Sequence, residues 1–421
     1  MSRMSLTPKH AVAVTAILGL LSLFPPLATD MYLAALGDLA TSMNASHTAA
    51  EFSLSIFFLG LCVGQILIGP LADTYGRKAP LLIGTALFTA TSIALPLLSD
   101  IAWFNALRFV QAIGASAGMV VGRAIVKDLY EGRQAAKVMT VLVMLLTIGP
   151  IASPTLGSLL LEGFGWRAIF ATMALISVVA FVLSLFILPE TLPVADRQTR
   201  PFYNGAKTAK LLLSQRGFIT MALVAGLVQG GMFAFITGSS GVFQGIFGLS
   251  SIGFGIMFAV IAAALIIFGR LNGVLLNHYG PEQILKAVLP LFVAATLVLT
   301  VFSHAETLVV FAIPLWVSIG LVGLLSANAM SIAMEMTKAG AGMGSALLGA
   351  IQFAIAFAVS TCVAIGGTSS ALPMSLGLLV PAILASVLFF AAGRAALREQ
   401  AEIATAARGS NYNSAPNSPE Y

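Results

Sequence analysis

The sequence predicts an all-α polytopic membrane protein whose twelve transmembrane helices form two pseudo-symmetric six-helix bundles. Three observations predict it. First, charged residues make up 9% and apolar residues 58% of 421, with a mean hydropathy of +0.98. A soluble domain of this length would expose more charge than that. Second, the apolar residues gather into runs of the roughly 20 residues that carry a helix across a bilayer. Residues 339–393 contain no Asp, Glu, Lys, Arg or His, enough for two spans and a turn near Ser369-Ser370. Third, the polar segment Gly69-Pro70-Leu71-Ala72-Asp73-Thr74-Tyr75-Gly76-Arg77-Lys78 returns in faded form as Gly273-Val274-Leu275-Leu276-Asn277-His278-Tyr279-Gly280, 204 residues later. A polar hairpin at matching places in two apolar halves marks a duplicated chain. The alternation of a membrane barrel is absent.

Taken in order, the first six spans are read at 11–37, 49–72, 79–98, 101–127, 134–160 and 167–188. Together 1–188 form the N-terminal bundle. Segment 189–216 carries Arg197, Arg200, Lys207, Lys210 and Arg216 and is read as a cytoplasmic linker. The second six spans are read at 217–242, 250–276, 283–303, 307–334, 341–366 and 371–395, so 217–395 form the C-terminal bundle. Residues 396–421 are polar and are expected to be a disordered cytoplasmic tail. Gly and Pro interrupt many spans, as membrane helices tolerate. Arg3 and Lys9 before an apolar run resemble a signal peptide, but the run passes twenty residues without a small-residue cleavage site, so an uncleaved first span is expected.

Basic residues set the orientation. With a cytoplasmic N-terminus, every Lys and Arg except Arg108 and Arg167 falls in or near a cytoplasmic segment, which the positive-inside rule requires. Both termini are then cytoplasmic. The net charge of +5 follows from topology and does not indicate a nucleic-acid partner. Cys62 and Cys362 lie within spans and read as small packing residues. The four His sit at span ends or in loops, and no His cluster or paired carboxylates lie inside the membrane. No metal site, catalytic residue or enzyme activity is expected.

An ionisable side chain within a bilayer demands a reason. Asp30 in span one and Arg108 in span four each lie about seven residues from the outer end, roughly 10 Å deep at about 1.5 Å per residue. Matching depth invites an ion pair or a shared water-filled cavity. A nearby Arg favours the ionised acid and desolvation the neutral one, so a site between these effects can bind and release a proton. Asp30 is therefore the candidate proton acceptor and Arg108 its tuning partner; a structural pair tying two spans is the other reading. The second half has no counterpart: 218–269 contains no ionisable residue. It offers Gln229, Ser239, Ser240, Asn328 and Gln352. With Tyr32, Gln65 and Gln111 these are candidates to line a central substrate cavity, or else make interhelical hydrogen bonds. Met31, Met119, Met144, Met232 and Met330 suit an adaptable apolar pocket.

The hairpin carries candidate gating residues. Asp73 ends a helix whose dipole disfavours negative charge, so it needs a partner. Arg77 can reach Asp128, with Arg123 and Lys127 as further partners, in a cluster able to close and open. Lys78 adds positive charge, and Gly69 and Gly76 permit close approach and a tight turn. In span five, Gly149, Pro150, Pro154 and Gly157 combine a kink with close packing.

Twelve spans, a basic central loop and Gly69-x-Leu71-Ala72-Asp73-x-x-Gly76-Arg77-Lys78 together resemble the major facilitator superfamily, over nearly the whole chain. Asp30-Met31-Tyr32-Leu33, Arg108-Phe109-Val110-Gln111, Gly149-Pro150 through Pro154 and Gly157, and Leu188-Pro189-Glu190-Thr191-Leu192 are similar to its bicyclomycin/chloramphenicol-resistance (Bcr/CflA) branch. Departures stand at Ala34, Ala112 and Gly157-Ser158, where the branch usually has Pro, Gly and a Gly pair. The resemblance implies a drug:proton antiporter of the bacterial inner membrane, with the hairpin stabilising an outward-open state and the span-five motif favouring export. It also implies a monomer whose partners are a small-molecule substrate and the lipid bilayer, with no cofactor beyond the coupling proton. The other transporter reading is a carrier of an endogenous polar solute such as a purine, since one scaffold hosts many functions.

Overall fold

The structure is a computed structural model that describes residues 8–130, 132–198, 201–337 and 341–393. The expected tail at 396–421 lies outside the described residues. Helix dominates because a chain in lipid must satisfy its backbone hydrogen bonds within each segment.

Span one is assembled from α1 (Pro8–Ser22), α2 (Phe24–Asp30), a short 3₁₀ turn at Leu33–Ala35 and α3 (Leu36–Ser42). Pro25 and Pro26 lie in the first turn of α2, where a missing N–H does least harm. The α-helical run stops at Asp30, and Tyr32, at φ −98° and ψ 3°, leaves the helical region. The other spans of the first half are α4 (His47–Tyr75), α5 (Lys78–Ala94), α6 (Ile101–Leu129), α7 (Gly132–Phe164) and α8 (Trp166–Ile187). Segment 189–216 is more than a linker: it contains α9 (Pro201–Ser214). The second half comprises α10 (Arg216–Ser240), which continues as a π-helical turn over Gly241–Ile246, then α11 (Ser251–Leu275), α12 (Pro281–Val301), α13 (Leu308–Glu335), α14 (Ala341–Gly366) and α15 (Leu372–Leu388).

Eleven of these spans are long and apolar enough to cross a membrane among the described residues. With 33 residues, α7 has the length of the twelfth. The predicted boundaries hold to within a few residues except in span one, which is longer and broken.

Small residues let the helices approach, as they must where lipid gives no hydrophobic drive to association. On α4, a Cβ at Gly60 would strike the Phe109 carbonyl and the Ala112 Cβ of α6, and one at Gly64 would strike Ser116. Where the halves meet, α4 lies along α14 and α7 along α11. Hydrogen bonds cross this seam at three levels. Between the two ends, nearer the His47 end of α4, Ser55 Oγ and Ser360 Oγ are 2.8 Å apart, and Ser360 is 2.6 Å from Thr237 Oγ1. At the end holding the Asp73–Lys78 hairpin, here called the basic end, Arg123 reaches Ser345 Oγ at 3.0 Å. At the opposite end, Gln244 Nε2 donates to the Ala34 carbonyl at 3.0 Å and Thr155 Oγ1 to the Gly255 carbonyl at 3.3 Å. The bundles thus meet at both ends, in an occluded arrangement.

Candidate functional site

Asp30 ends α2 and is 1% exposed. Among the described residues its one side-chain hydrogen bond comes from Thr29 Oγ1, 2.7 Å from Oδ1. That hydroxyl also lies 2.9 Å from the Pro25 carbonyl, and a hydroxyl has a single proton to give. The turn around Asp30 is pressed against α7. A Cβ at Gly149 would come within 2.9 Å of Pro26 Cγ, and one at Gly157 would strike the Met31 carbonyl. The span-five glycines therefore hold α7 against the residues flanking Asp30. Pro154 accepts from Ser158 Oγ at 2.8 Å at its carbonyl, and Pro150 lies within the same continuous helix.

Arg108 is wholly buried, yet it does not pair with Asp30, which corrects the ion-pair expectation. Because the α-helix stops after Asp30, the carbonyls of its last turn need other donors. Arg108 Nη2 donates to one of them, Ala28 O, at 2.7 Å, and Nη1 donates to Gln111 Oε1 at 2.6 Å. The guanidinium lies against two rings, 4.5 Å from the Tyr32 centroid and 4.3 Å from that of Phe57. Planar and weakly hydrated, a guanidinium suits such a cage. Its Nε has no hydrogen-bond partner among the described residues. Gln111 Nε2 donates to Ser92 Oγ at 2.8 Å, and the Tyr32 hydroxyl lies 2.8 Å from Ser53 Oγ. Tyr32, Arg108 and Gln111 are thus one cluster, built from span one and α4, α5 and α6 inside the first bundle.

The remaining candidate lining residues are dispersed. Gln65 sits at the seam: its side chain packs 3.1 Å from where a Cβ would stand on Gly349 of α14, its Nε2 meets Met119 Sδ at 3.9 Å, and its Oε1 is buried without a partner. Asn328 Nδ2 donates to Asn272 Oδ1 at 2.7 Å and to the Leu324 carbonyl at 2.8 Å, tying α13 to α11 within the second bundle. Gln229 and Gln352 are half-buried on α10 and α14, with the Gln352 backbone 3.6 Å from a Cβ built on Gly226.

At the basic end, Arg77 bridges two acids, Asp73 at 2.5 Å and Asp128 at 2.9 Å. Those hydrogen bonds outweigh its burial and hold the guanidinium above its ordinary range. Thr191 Oγ1 also donates to Asp128, at 3.0 Å. Arg123 does not join this cluster, contrary to expectation. Its Nε bonds the Met119 carbonyl at 2.9 Å and its Nη1 crosses to Ser345 of the other bundle, because its face of α6 is turned to α14. The cluster's missing member is Glu190. It accepts from the backbone N–H of Arg77 at 2.8 Å, of Lys78 at 3.2 Å and of Leu192 at 3.0 Å, capping the start of α5 where a carboxylate meets the positive end of the dipole. Arg197 lies 3.7 Å from it.

Gly76 has φ +90°, and a Cβ there would strike Glu190, so the turn requires glycine. Gly69 makes no such approach; its nearest neighbour is Val120 Cγ1 at 4.0 Å. The second copy of the hairpin closes without charges, through Gly280 N–H to Gln283 Oε1 at 3.1 Å.

Comparison with known proteins accords with this architecture. The Major Facilitator Superfamily profile matches residues 18–361. The chain is 33% identical to an uncharacterized MFS-type transporter of Bacillus subtilis, YdgK, over 91% of this chain and 96% of that one. It is 30% identical to a bicyclomycin resistance protein homolog of Haemophilus influenzae, over 85% of this chain and 90% of the relative. Among solved structures it is similar to a D-xylose–proton symporter, with a TM-score of 0.72 at 15% identity, covering 89% of this chain and 97% of that one; at that identity the likeness speaks for the fold alone. The chain belongs to the major facilitator superfamily, alongside its bicyclomycin/chloramphenicol-resistance branch.

Proposed function

We propose that the protein exports small lipophilic compounds in exchange for protons, by alternating access of one site between its two bundles. The supporting observation is Asp30: a buried acid at the broken turn of span one, with a shared hydroxyl as its hydrogen-bond donor and no ion pair among the described residues. Such a group can take up and release a proton as its exposure alternates. Arg108 holds the broken turn by the Ala28 carbonyl and so positions Asp30 without neutralising it. The resistance relative supports an antibiotic-like substrate class, which we carry to this chain as part of the proposal.

In this reading the basic end faces the cytoplasm, both termini lie on that side, and the membrane is the bacterial inner membrane. Arg77, Asp73, Asp128 and Glu190 close that end, with α9 as a strap: Gly205 stands between Met343 of α14 and Pro70 of α4, its built Cβ 3.1 Å and 3.6 Å from them. The protein works as a monomer on a small-molecule substrate in the bilayer, with the proton as coupling ion, no other cofactor, no nucleic acid and no bond-making chemistry. The test is substrate-dependent proton movement in proteoliposomes against a panel of amphenicol-like, bicyclic and dye compounds. Proton movement with the drug panel supports the proposal; movement only with purines or amino acids overturns it.

A further inference from the structure

The seam at the end opposite the basic end contains an acid that the export scheme has not used. Glu51 lies in the second turn of α4 and is 1% exposed. Its Oε1 is enclosed and has no hydrogen-bond partner among the described residues. The nearest titratable side chain is His47, one turn earlier, with Nδ1 at 3.4 Å and its side chain 31% exposed at the rim. The wall in front of Glu51 belongs to the other bundle: Gly238, Val242, Val363, Thr368 and Met374, from the end of α10, its π-helical turn and the α14–α15 connection. The cavity between measures about 10 Å³, room for one water. At Gly241 a Cβ would stand 3.3 Å from Glu51 Oε1 and strike Thr368, so the absence of a side chain there lets the carboxyl seat against the opposite bundle.

No titratable side chain of that wall faces Glu51. Around it on the first bundle, His47 is its own helix's contribution, and Asn105 of α6 is uncharged and bonds the Ala49 carbonyl at 3.3 Å. Asp38 of α3 and Asp100 at the start of α6 are exposed to solvent.

We propose that Glu51 is a second proton-binding carboxyl, a clasp that holds the outer end of the seam shut when it carries a proton. With Oε1 enclosed and only His47 Nδ1 in reach, at 3.4 Å and without a hydrogen bond, an ionised carboxylate is unfavourable; a protonated one is both donor and acceptor and faces a largely apolar wall whose hydroxyls are those of Thr368 and Ser370. When the bundles part at this end, the wall withdraws, water reaches the carboxyl and the proton leaves to the outer solution. Two residues on, Ser53 bonds the Tyr32 hydroxyl, which joins the clasp to the turn of Asp30. The inference rests on the export reading only for which end is outer and for the proton as coupling ion.

The test needs no substrate. Spin labels at Thr41→Cys and Ser369→Cys, both exposed near the outer end of different bundles, with Cys62 and Cys362 replaced by Ala, report the opening of the seam. Distances are recorded across the range where carboxyls and imidazoles titrate, about pH 4 to 8. Wild type is expected to shift from short to long distances as pH rises. Glu51→Gln, a neutral isostere, is expected to stay short throughout, and His47→Ala to move the transition to higher pH, since it removes the imidazole that favours ionised Glu51 whenever it carries a proton. A Glu51→Gln protein that opens with pH as wild type does, or a response abolished by Asp30→Asn alone, overturns the clasp. Because no drug is present, failure to find an exported compound would count against the export reading and leave this result standing.

Discussion

Gly157→Ala tests the packing around Asp30 most sharply. The added Cβ would strike the Met31 carbonyl oxygen and stand 2.6 Å from the carbonyl carbon and 2.9 Å from Cα, where ordinary contact begins at 3.4 Å. All three atoms are backbone, so no rotamer change relieves the clash. The turn holding Asp30 must instead withdraw from α7 by about 0.8 Å or more, which overpacking data put at about 1–3 kcal/mol. The withdrawal also separates the neighbouring contact between Gly149 and Pro26. Gly163, in the same helix, has nothing within 4 Å of its built Cβ, so Gly163→Ala is the matched control and should be neutral or slightly stabilising, by up to about 1 kcal/mol. Thermal unfolding in detergent and drug-driven proton movement in vesicles read both effects. Gly157→Ala is expected to melt earlier and to lose coupling, and Gly163→Ala to do neither. Equal stability and equal transport in the two variants would refute the argument that this contact positions Asp30.

Further outcomes follow from the same geometry. Arg108→Lys keeps the charge but cannot bond Gln111 and Ala28 together or fill the cage of Tyr32 and Phe57, so it should lose about 2–3 kcal/mol of stability and most transport, measured by melting and by vesicle assay. Arg77→Ala should destabilise the basic end by about 1–3 kcal/mol. Because the Arg77 guanidinium is held above its ordinary range, it stays charged until strongly alkaline pH, and its partners Asp73 and Asp128 are ionised through the neutral range, so the deficit should be the same at about pH 6 and pH 9. Asn328→Ala breaks the pair with Asn272 and should lower the melting temperature, at about 0.6–1.7 kcal/mol, while leaving the ranking of exported compounds unchanged; a changed ranking would return Asn328 to the substrate cavity.

Twelve spans and the two-fold repeat were legible because composition and length act on every residue of a membrane helix. Side-chain direction was not. Asp30 and Arg108 lie at matching depth, but a break at Tyr32 exposes a carbonyl that takes the guanidinium first, and no charge pattern announces that break. Arg123 carries the right charge at the right end, yet helix rotation points it across the seam to Ser345. Glu190 was visible only within the Leu188–Leu192 resemblance, because its partners are backbone N–H groups that leave no mark in a sequence. Glu51 reads as an ordinary charge in the first turns of a span; only the facing wall of the other bundle makes it buried. The Asp73–Arg77–Asp128 contact was legible, since hairpin spacing and helix ends fix those three positions directly.

The central claim is that the proton is carried by the first bundle at Asp30. Proton release on drug addition, recorded in detergent or vesicles with wild type and Asp30→Asn side by side, tests it most directly. Wild type should release protons when drug binds; Asp30→Asn should bind the same drug with no release. Undiminished release from Asp30→Asn at normal drug affinity would contradict the account.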